Sequence, residues 1–233
     1  MFKQIINSWL KNIQRCALCG APDSQSHGLC EGCHADLPWL IHGCSRCALP
    51  LPRHQAGLCV PCWHQLPPFT QVQAAFTYSF PISELIPAIK YRRQPAHLGW
   101  LAAVLAEFIR QRQTAPWPDA LVPVPMHPFS QIHRGYNQAQ LLAQRLGEQL
   151  HIPVSPCLHK QRRTPRQVSL NLAQRRHNLQ GAFTLRGGVA EHVALVDDVM
   201  TTGTTASTLA RLLLEQGCQR VDVWVLARTA QEP

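Results

Sequence analysis

Residues 193–207, VALVDDVMTTGTTAS, place two adjacent carboxylates, four threonine hydroxyls and a glycine directly after a short apolar run. Gly203 lets the backbone come close to a ligand, and Thr201, Thr202, Thr204 and Thr205 add hydroxyl donors around a small tetrahedral anion. Asp197 and Asp198 would repel that anion. They suit vicinal hydroxyls, which donate to carboxylates, or the water shell of a divalent cation. A phosphate, a diol and a nearby metal together describe a phosphorylated ribose. The bland alternative, a polar turn that only caps a helix, explains Asp, Thr and Gly singly. It does not explain their joint order between a strand and a helix.

A second group of residues has metal chemistry. Eight of the ten cysteines fall within residues 16–62 as four CxxC pairs: Cys16 with Cys19, Cys30 with Cys33, Cys44 with Cys47, and Cys59 with Cys62. A CxxC turn presents two thiolates to one ion, and four thiolates without histidine favour closed, tetrahedral, structural Zn2+. Two such sites are expected, paired either sequentially or as an interleaved cross-brace. A secreted disulfide scaffold is disfavoured because the N-terminal residues lack the pattern of a signal peptide. Four regularly spaced copies also argue against thioredoxin-type redox chemistry. Cys157 and Cys218 stand alone and read as small buried side chains.

These residues need elements to hold them. Val193–Val196 has strand length and composition, and from Thr204 the apolar positions Leu209, Leu212 and Leu213 precede Gly217 as a helix does its stop. The polar stretch between them reads as a strand-to-helix turn, whose following helix points free N–H groups and its positive dipole end at the ligand. Strands are expected at 72–79, 120–124, 151–154, 181–185 and 221–227, and helices at 82–90, 96–113 and 137–150. That alternation implies a mainly parallel α/β sheet with helices on both faces. Residues 1–15 form an amphipathic helix in this reading, with Phe2, Ile5, Ile6, Trp9, Leu10 and Ile13 on one face. Residues 16–66 form the double zinc ribbon, Leu66–Phe69 a linker, and residues 70–233 the α/β domain. No stretch is long and apolar enough to cross a membrane.

The 193–207 segment closely resembles the phosphoribosyl pyrophosphate (PRPP) signature of type I phosphoribosyltransferases. The chain as a whole resembles the ComF/GntX family: the four CxxC pairs, Lys90-Tyr91-Arg92, VPVPMHP, RGYNQA, the stretch TPRQ through GAF, and VDDVMTTGTT occur in that family's order. The resemblance implies a type I phosphoribosyltransferase-like fold. It also implies that Asp197 and Asp198 contact the ribose hydroxyls, and that Thr201, Thr202, Gly203, Thr204 and Thr205 cradle the 5′-phosphate. Arg134, Arg175 and Arg176 would serve the pyrophosphate, Lys90 would take part in PRPP binding, and Mg2+ would accompany PRPP. The basic segment 166–178 would be a hood that excludes water from the reacting centre. Cytoplasmic location, competence or DNA-uptake proteins as partners, and a role in natural transformation or the use of extracellular DNA complete the implication.

Two functions fit. An enzyme would transfer phosphoribosyl to an unidentified acceptor; glutamine-dependent amide transfer is not expected, since the first cysteine lies within a CxxC pair. A binding protein would instead recognise a nucleotide or single-stranded DNA. The formal net charge of +9 and seven basic residues without an acid between Lys160 and Ala190 suit phosphates. Trp39, Trp63 and Tyr136 are the candidate stacking aromatics, although aromatic content is only 7%.

Overall fold

The computed structural model describes residues 15–22, 27–114, 116–162 and 181–230. The expected helix at 1–15 and the expected hood at 166–178, with Arg175 and Arg176, lie outside the described residues apart from Arg15. Along the chain come α1 (Glu31–Ala35), α2 (Val60–His64), β1 (Val72–Thr77), α3 (Ile82–Tyr91), α4 (His97–Arg112), β2 (Ala120–Pro123), α5 (Pro128–Arg134) and α6 (Gln138–Leu150). They are followed by β3 (Leu158–Lys160), β4 (Phe183–Leu185), β5 (His192–Met200), α7 (Thr204–Glu215) and β6 (Arg220–Arg228).

Four strands form a parallel sheet in the order β1-β6-β5-β2, while β3 and β4 pair separately as an antiparallel ribbon. The mainly parallel sheet with flanking helices is therefore as the alternation of elements implied. Strands buried on both faces read as continuous apolar runs, and β5 and β6 have that character. Ala194, Val196, Trp224 and Leu226 point into a core with α3, α4 and α6. Val193, Leu195, Val221, Val223 and Val225 enter a second core with α7.

Three elements differ from expectation. Residues 151–154 contribute a single parallel bridge, Val154 to Leu121, because His151 takes the left-handed conformation that ends α6. Residues 128–134, where no helix is expected, form α5: Pro128 takes its N-terminal position, which tolerates a residue without an N–H, and the His127 ring accepts from the Phe129 N–H. The strand carrying the aspartates does not end at Val196. It continues to Met200 because β6 pairs with it as far as Arg228, and backbone hydrogen bonding overrides the polar side chains.

The cysteine-rich region wraps the free edge of the sheet. Trp39 bridges Phe76 in antiparallel fashion, the Leu40 N–H donates to the Ala75 carbonyl, and the Thr77 N–H donates to that of Pro38. Covering an edge in this way removes a template for pairing with other chains. On one side of this crossing Cys16, Leu29 and Leu37 join the α4 core; on the other, Leu40, Cys44, Cys47, Cys59, Cys62 and Phe69 join the α7 core. Trp39 is the pivot, with its ring centroid 5.0 Å from Phe76 and 6.2 Å from Phe108, and its Nε1–H donating to the His34 carbonyl at 2.9 Å. Trp39→Ala should cost about 3 kcal/mol, the low end for an aromatic truncation because the ring is only partly buried. Urea unfolding at constant zinc measures this; a change under ~0.5 kcal/mol would show that the crossing is held elsewhere.

Candidate functional site

The carboxylates sit where the sheet frays. Strand β2 pairs with β5 only as far as Pro123 opposite Val196, and β5 then runs on through Asp197, Asp198, Val199 and Met200 against β6 alone. The ends of the strands thus leave a step beside the two aspartates, at the carboxyl edge where open α/β sheets bind ligands. Each carboxylate accepts from the next N–H along the chain, Asp197 from Asp198 and Asp198 from Val199, both at 2.9 Å. These bonds fix both side chains relative to the strand.

Lys90, in the last turn of α3, reaches Asp198 with 2.8 Å between Nζ and Oδ2. Burial opposes its charge, but Asp198 and Asp197 outweigh this and raise its pKa. Asp197 has the opposite fate. Removal from water, and then the neighbouring Asp198 carboxylate, push it up to about 8, against the lowering influence of Lys90. Burial and the adjacent carboxylate thus both favour the protonated form of Asp197 beside the Lys90–Asp198 ion pair. Lys160, at the end of β3, also feels Asp197: burial lowers its pKa and the carboxyl counteracts that. Its ammonium lies 5.5 Å from the Phe183 ring centroid. Sequence reasoning placed Lys160 only in a basic run; β3 was not foreseen, so nothing indicated that this lysine turns toward Asp197.

Beyond Met200 the chain makes the anticipated turn. Gly203 adopts φ 75°, a left-handed conformation that side chains resist, and a Cβ there would also meet the Met200 methyl group. Helix α7 begins at Thr204 and runs for 12 residues; its N-cap Gly203 has no side chain to cap it, and the Thr204 N–H donates weakly to the Thr202 hydroxyl at 3.5 Å. Its N-terminal dipole end therefore faces the turn. The Thr202 and Thr204 hydroxyls are 2.9 Å apart, and the Thr208 hydroxyl turns back to the Thr204 carbonyl. Thr201 is exposed and Thr205 partly buried.

Arg134 lies close to Lys90 in the chain's architecture. Its guanidinium stands 5.5 Å from the Tyr91 ring centroid and donates to Gln138 Oε1 at 2.6 Å. The Tyr136 hydroxyl donates to the Ile89 carbonyl, and Arg93 donates to that of His133. The RGYN segment is thereby stapled to the helix end that presents Lys90. Asn137 completes the join, donating to the Val124 carbonyl at 3.0 Å and capping α6 through Ala139 N–H. Tyr136 is thus committed to this joint and Trp39 to the sheet edge. Of the three aromatics considered for base stacking, Trp63 remains open, at 77% exposure.

The two metal sites are resolved as sequential. Cys16, Cys19, Cys30 and Cys33 converge in one group, and Cys44, Cys47, Cys59 and Cys62 in another, with all sulfur atoms of a group within 4.8 Å of one another. The Cys19–Cys30 and Cys47–Cys59 sulfur separations are 3.7 and 3.6 Å. A tetrahedral Zn2+ with Zn–S bonds of ~2.3 Å requires sulfurs about 3.8 Å apart, so the donors fit the ion. The sites are built alike: the N–H of Cys16 donates to Ala21 and that of Cys44 to Leu49, and Cys30 and Cys59 each stand at the N-cap of a short helix. Crowding opposes several thiolates without a cation. Desolvation and Cys47 hold Cys59 up at about 11, against hydrogen bonds with Cys62, whereas backbone hydrogen bonds outweigh burial and bring Cys44 down to about 7. Cys157 and Cys218 are buried singly.

Residues 14–62 match the double zinc ribbon domain family. Competence protein F of Haemophilus influenzae is 34% identical over 227 residues, covering 92% of this chain and 96% of that protein. The DNA utilization protein YhgH of Salmonella typhi is 34% identical over 220 residues, with the same two coverages of 92% and 96%. A purine phosphoribosyltransferase from Pyrococcus horikoshii Ot3 has a TM-score of 0.35 and 19% identity, covering 57% of this chain and 75% of that one, too distant to bear on function. No helix among the described residues is long and apolar enough to cross a membrane.

The upward shift of Asp197 has a measurable consequence. Its carboxyl titrates at about 8 when folded against 3.8 for the ordinary group, so the folded state binds the extra proton between those values. The stability this contributes is complete below about pH 4 and is lost as pH rises through about 8. Asp197→Asn should therefore gain stability relative to the parent chain as pH rises across that window. Paired urea melts give the difference; a pH-independent difference would mean that Asp197 is ionised throughout.

Proposed function

The chain belongs to the competence protein F family, and from that premise we propose that it binds Mg2+ and PRPP in the handling of DNA taken up by the cell. One observation carries the reading: a pair of strand-borne carboxylates, one ion-paired to Lys90, stands immediately before a left-handed glycine turn at the start of a 12-residue helix. In this reading Asp197 and Asp198 receive the ribose hydroxyls, and residues 201–205 receive the 5′-phosphate. Lys90, Arg134 and the hood residues Arg175 and Arg176 receive the pyrophosphate. Mg2+ would neutralise the pyrophosphate oxygens when bound with the ligand, and its approach would favour the ionised form of Asp197. The eight cysteines hold two structural Zn2+ ions, and the protein works in the cytoplasm beside the DNA-uptake machinery.

Transfer would break the bond between the anomeric carbon and pyrophosphate and form one from that carbon to an acceptor. The chain contributes by orienting the sugar and by stabilising charge on the departing group rather than by a covalent nucleophile. The ion pair between Lys90 and Asp198 supports this division of labour, since both partners are already fixed where ligand phosphate oxygens would exchange onto Lys90 and ribose hydroxyls onto Asp198. Exposed Trp63 and the basic run favour a second reading, a non-catalytic protein that binds a nucleotide or single-stranded DNA.

Calorimetry with PRPP and Mg2+ should show binding to the parent chain and a loss of at least ~10-fold, or about 1.4 kcal/mol, in Asp198→Asn. Absence of binding to the parent chain would remove the PRPP reading. Pyrophosphate release across a panel of nucleobases and ammonia then separates the two functions: turnover with any acceptor supports transfer, and binding without turnover supports the second reading. Single-stranded DNA affinity should fall steeply between low and physiological salt if the basic surface tracks phosphates. An unchanged affinity would count against that mode.

A further inference from the structure

Arg228 ends β6 at a place that none of the motifs marks. It is 5% exposed, yet among the described residues no carboxylate lies within ion-pair distance of it. Its guanidinium instead spans two sites. Nε donates to the Cys47 carbonyl at 3.0 Å, within the second four-cysteine group. Nη1 donates to the carbonyls of Met200, at 3.1 Å, of Thr201, and of Thr229, at 3.0 Å. Met200 and Thr201 are the residues through which β5 passes into the Gly203 turn.

Two physical consequences follow from this placement. Across a trans peptide the carbonyl and the following N–H point in opposite directions. Holding the Met200 and Thr201 carbonyls toward Arg228 therefore aims the N–H groups of Thr201 and Thr202 to the other side of the turn. The second consequence concerns charge. A buried guanidinium is costly without counter-charge. The nearest group of potential anions is the second four-cysteine site, whose Cys47 carbonyl Arg228 Nε already holds. Four thiolates around one Zn2+ would leave a net charge of −2 as that counter-charge, and a guanidinium ordered by that site would hold the Met200 and Thr201 carbonyls, so that ordering either site orders the other. Among the described residues Arg228 makes no contact with the first four-cysteine group, whose Cys16 lies in the α4 core.

We propose that Arg228 is a positioning residue that couples the second four-cysteine site to the phosphate turn, so that metal in that site and an anion on the turn strengthen each other's binding. This rests on the PRPP reading of the turn. Coupling between two equilibria is reciprocal, and such couplings commonly amount to about 5- to 150-fold. PRPP should therefore protect the second metal site and leave the first unchanged.

The test uses the full zinc-loaded chain, a zinc-selective chelator in excess Mg2+, and alkylation of released thiols mapped by mass spectrometry. With saturating PRPP, the chelator concentration that exposes Cys44, Cys47, Cys59 and Cys62 should rise at least about fivefold. That for Cys16, Cys19, Cys30 and Cys33 should not move. In Arg228→Lys, which keeps the charge but loses the fork, the protection should disappear while both zinc ions are retained. Equal protection of both groups, or protection that survives in Arg228→Lys, overturns the coupling while the PRPP site stands. Failure of the parent chain to bind PRPP overturns both. The comparison of the two cysteine groups within the parent chain decides the matter even if the variant does not fold.

Discussion

Two carboxylates on consecutive residues at the end of a buried strand repel each other in a medium that screens poorly, and the surrounding architecture answers that repulsion. Lys90 neutralises Asp198 directly at 2.8 Å, and the Asp197 carboxyl is pushed toward its protonated form. Helix α3 must end at this point to deliver the lysine. The Tyr136, Arg93 and Arg134 contacts hold that helix end against the segment after β2. On the far side β3 brings Lys160 toward Asp197. Four separate parts of the chain therefore converge on one electrostatic problem.

Much of this was readable in the amino-acid order because local and global signals agree there. The apolar run of β5, the glycine of the turn and the leucine spacing of α7 each specify a local conformation, and the parallel sheet makes all three compatible. The cysteine repeat was equally explicit about its ligands, but not about their pairing, because spacing alone permits both connectivities. The unreadable parts are those decided at long range. The strand extends through Asp197 and Asp198 because β6 happens to be long enough to pair with them. Lys160 and Arg228 acquire their neighbours from elements remote in sequence. The helix that Pro128 begins has no periodic apolar pattern to announce it and depends on the cap that His127 supplies. Trp39 and Tyr136, plausible as exposed aromatics, are drawn into packing and into a backbone hydrogen bond.

The cysteine region is more than an appendage to the sheet. It crosses the β1 edge between its two metal sites, so that one site packs with α4 and the other with α7. Each site organises a stretch of chain with few helices of its own, and the crossing at Trp39 and Leu40 converts those two small structures into a brace spanning both layers. The metal ions would substitute here for apolar mass that so short a segment cannot bury.

That brace has a bearing on how the protein responds to its surroundings. A cell deprived of zinc would produce chains in which the β1 edge has lost its cover, leaving a row of unpaired backbone groups on an otherwise apolar sheet. Such chains would be candidates for proteolysis or mutual aggregation before any question of ligand binding arose. The abundance of the folded protein would then follow trace-metal supply.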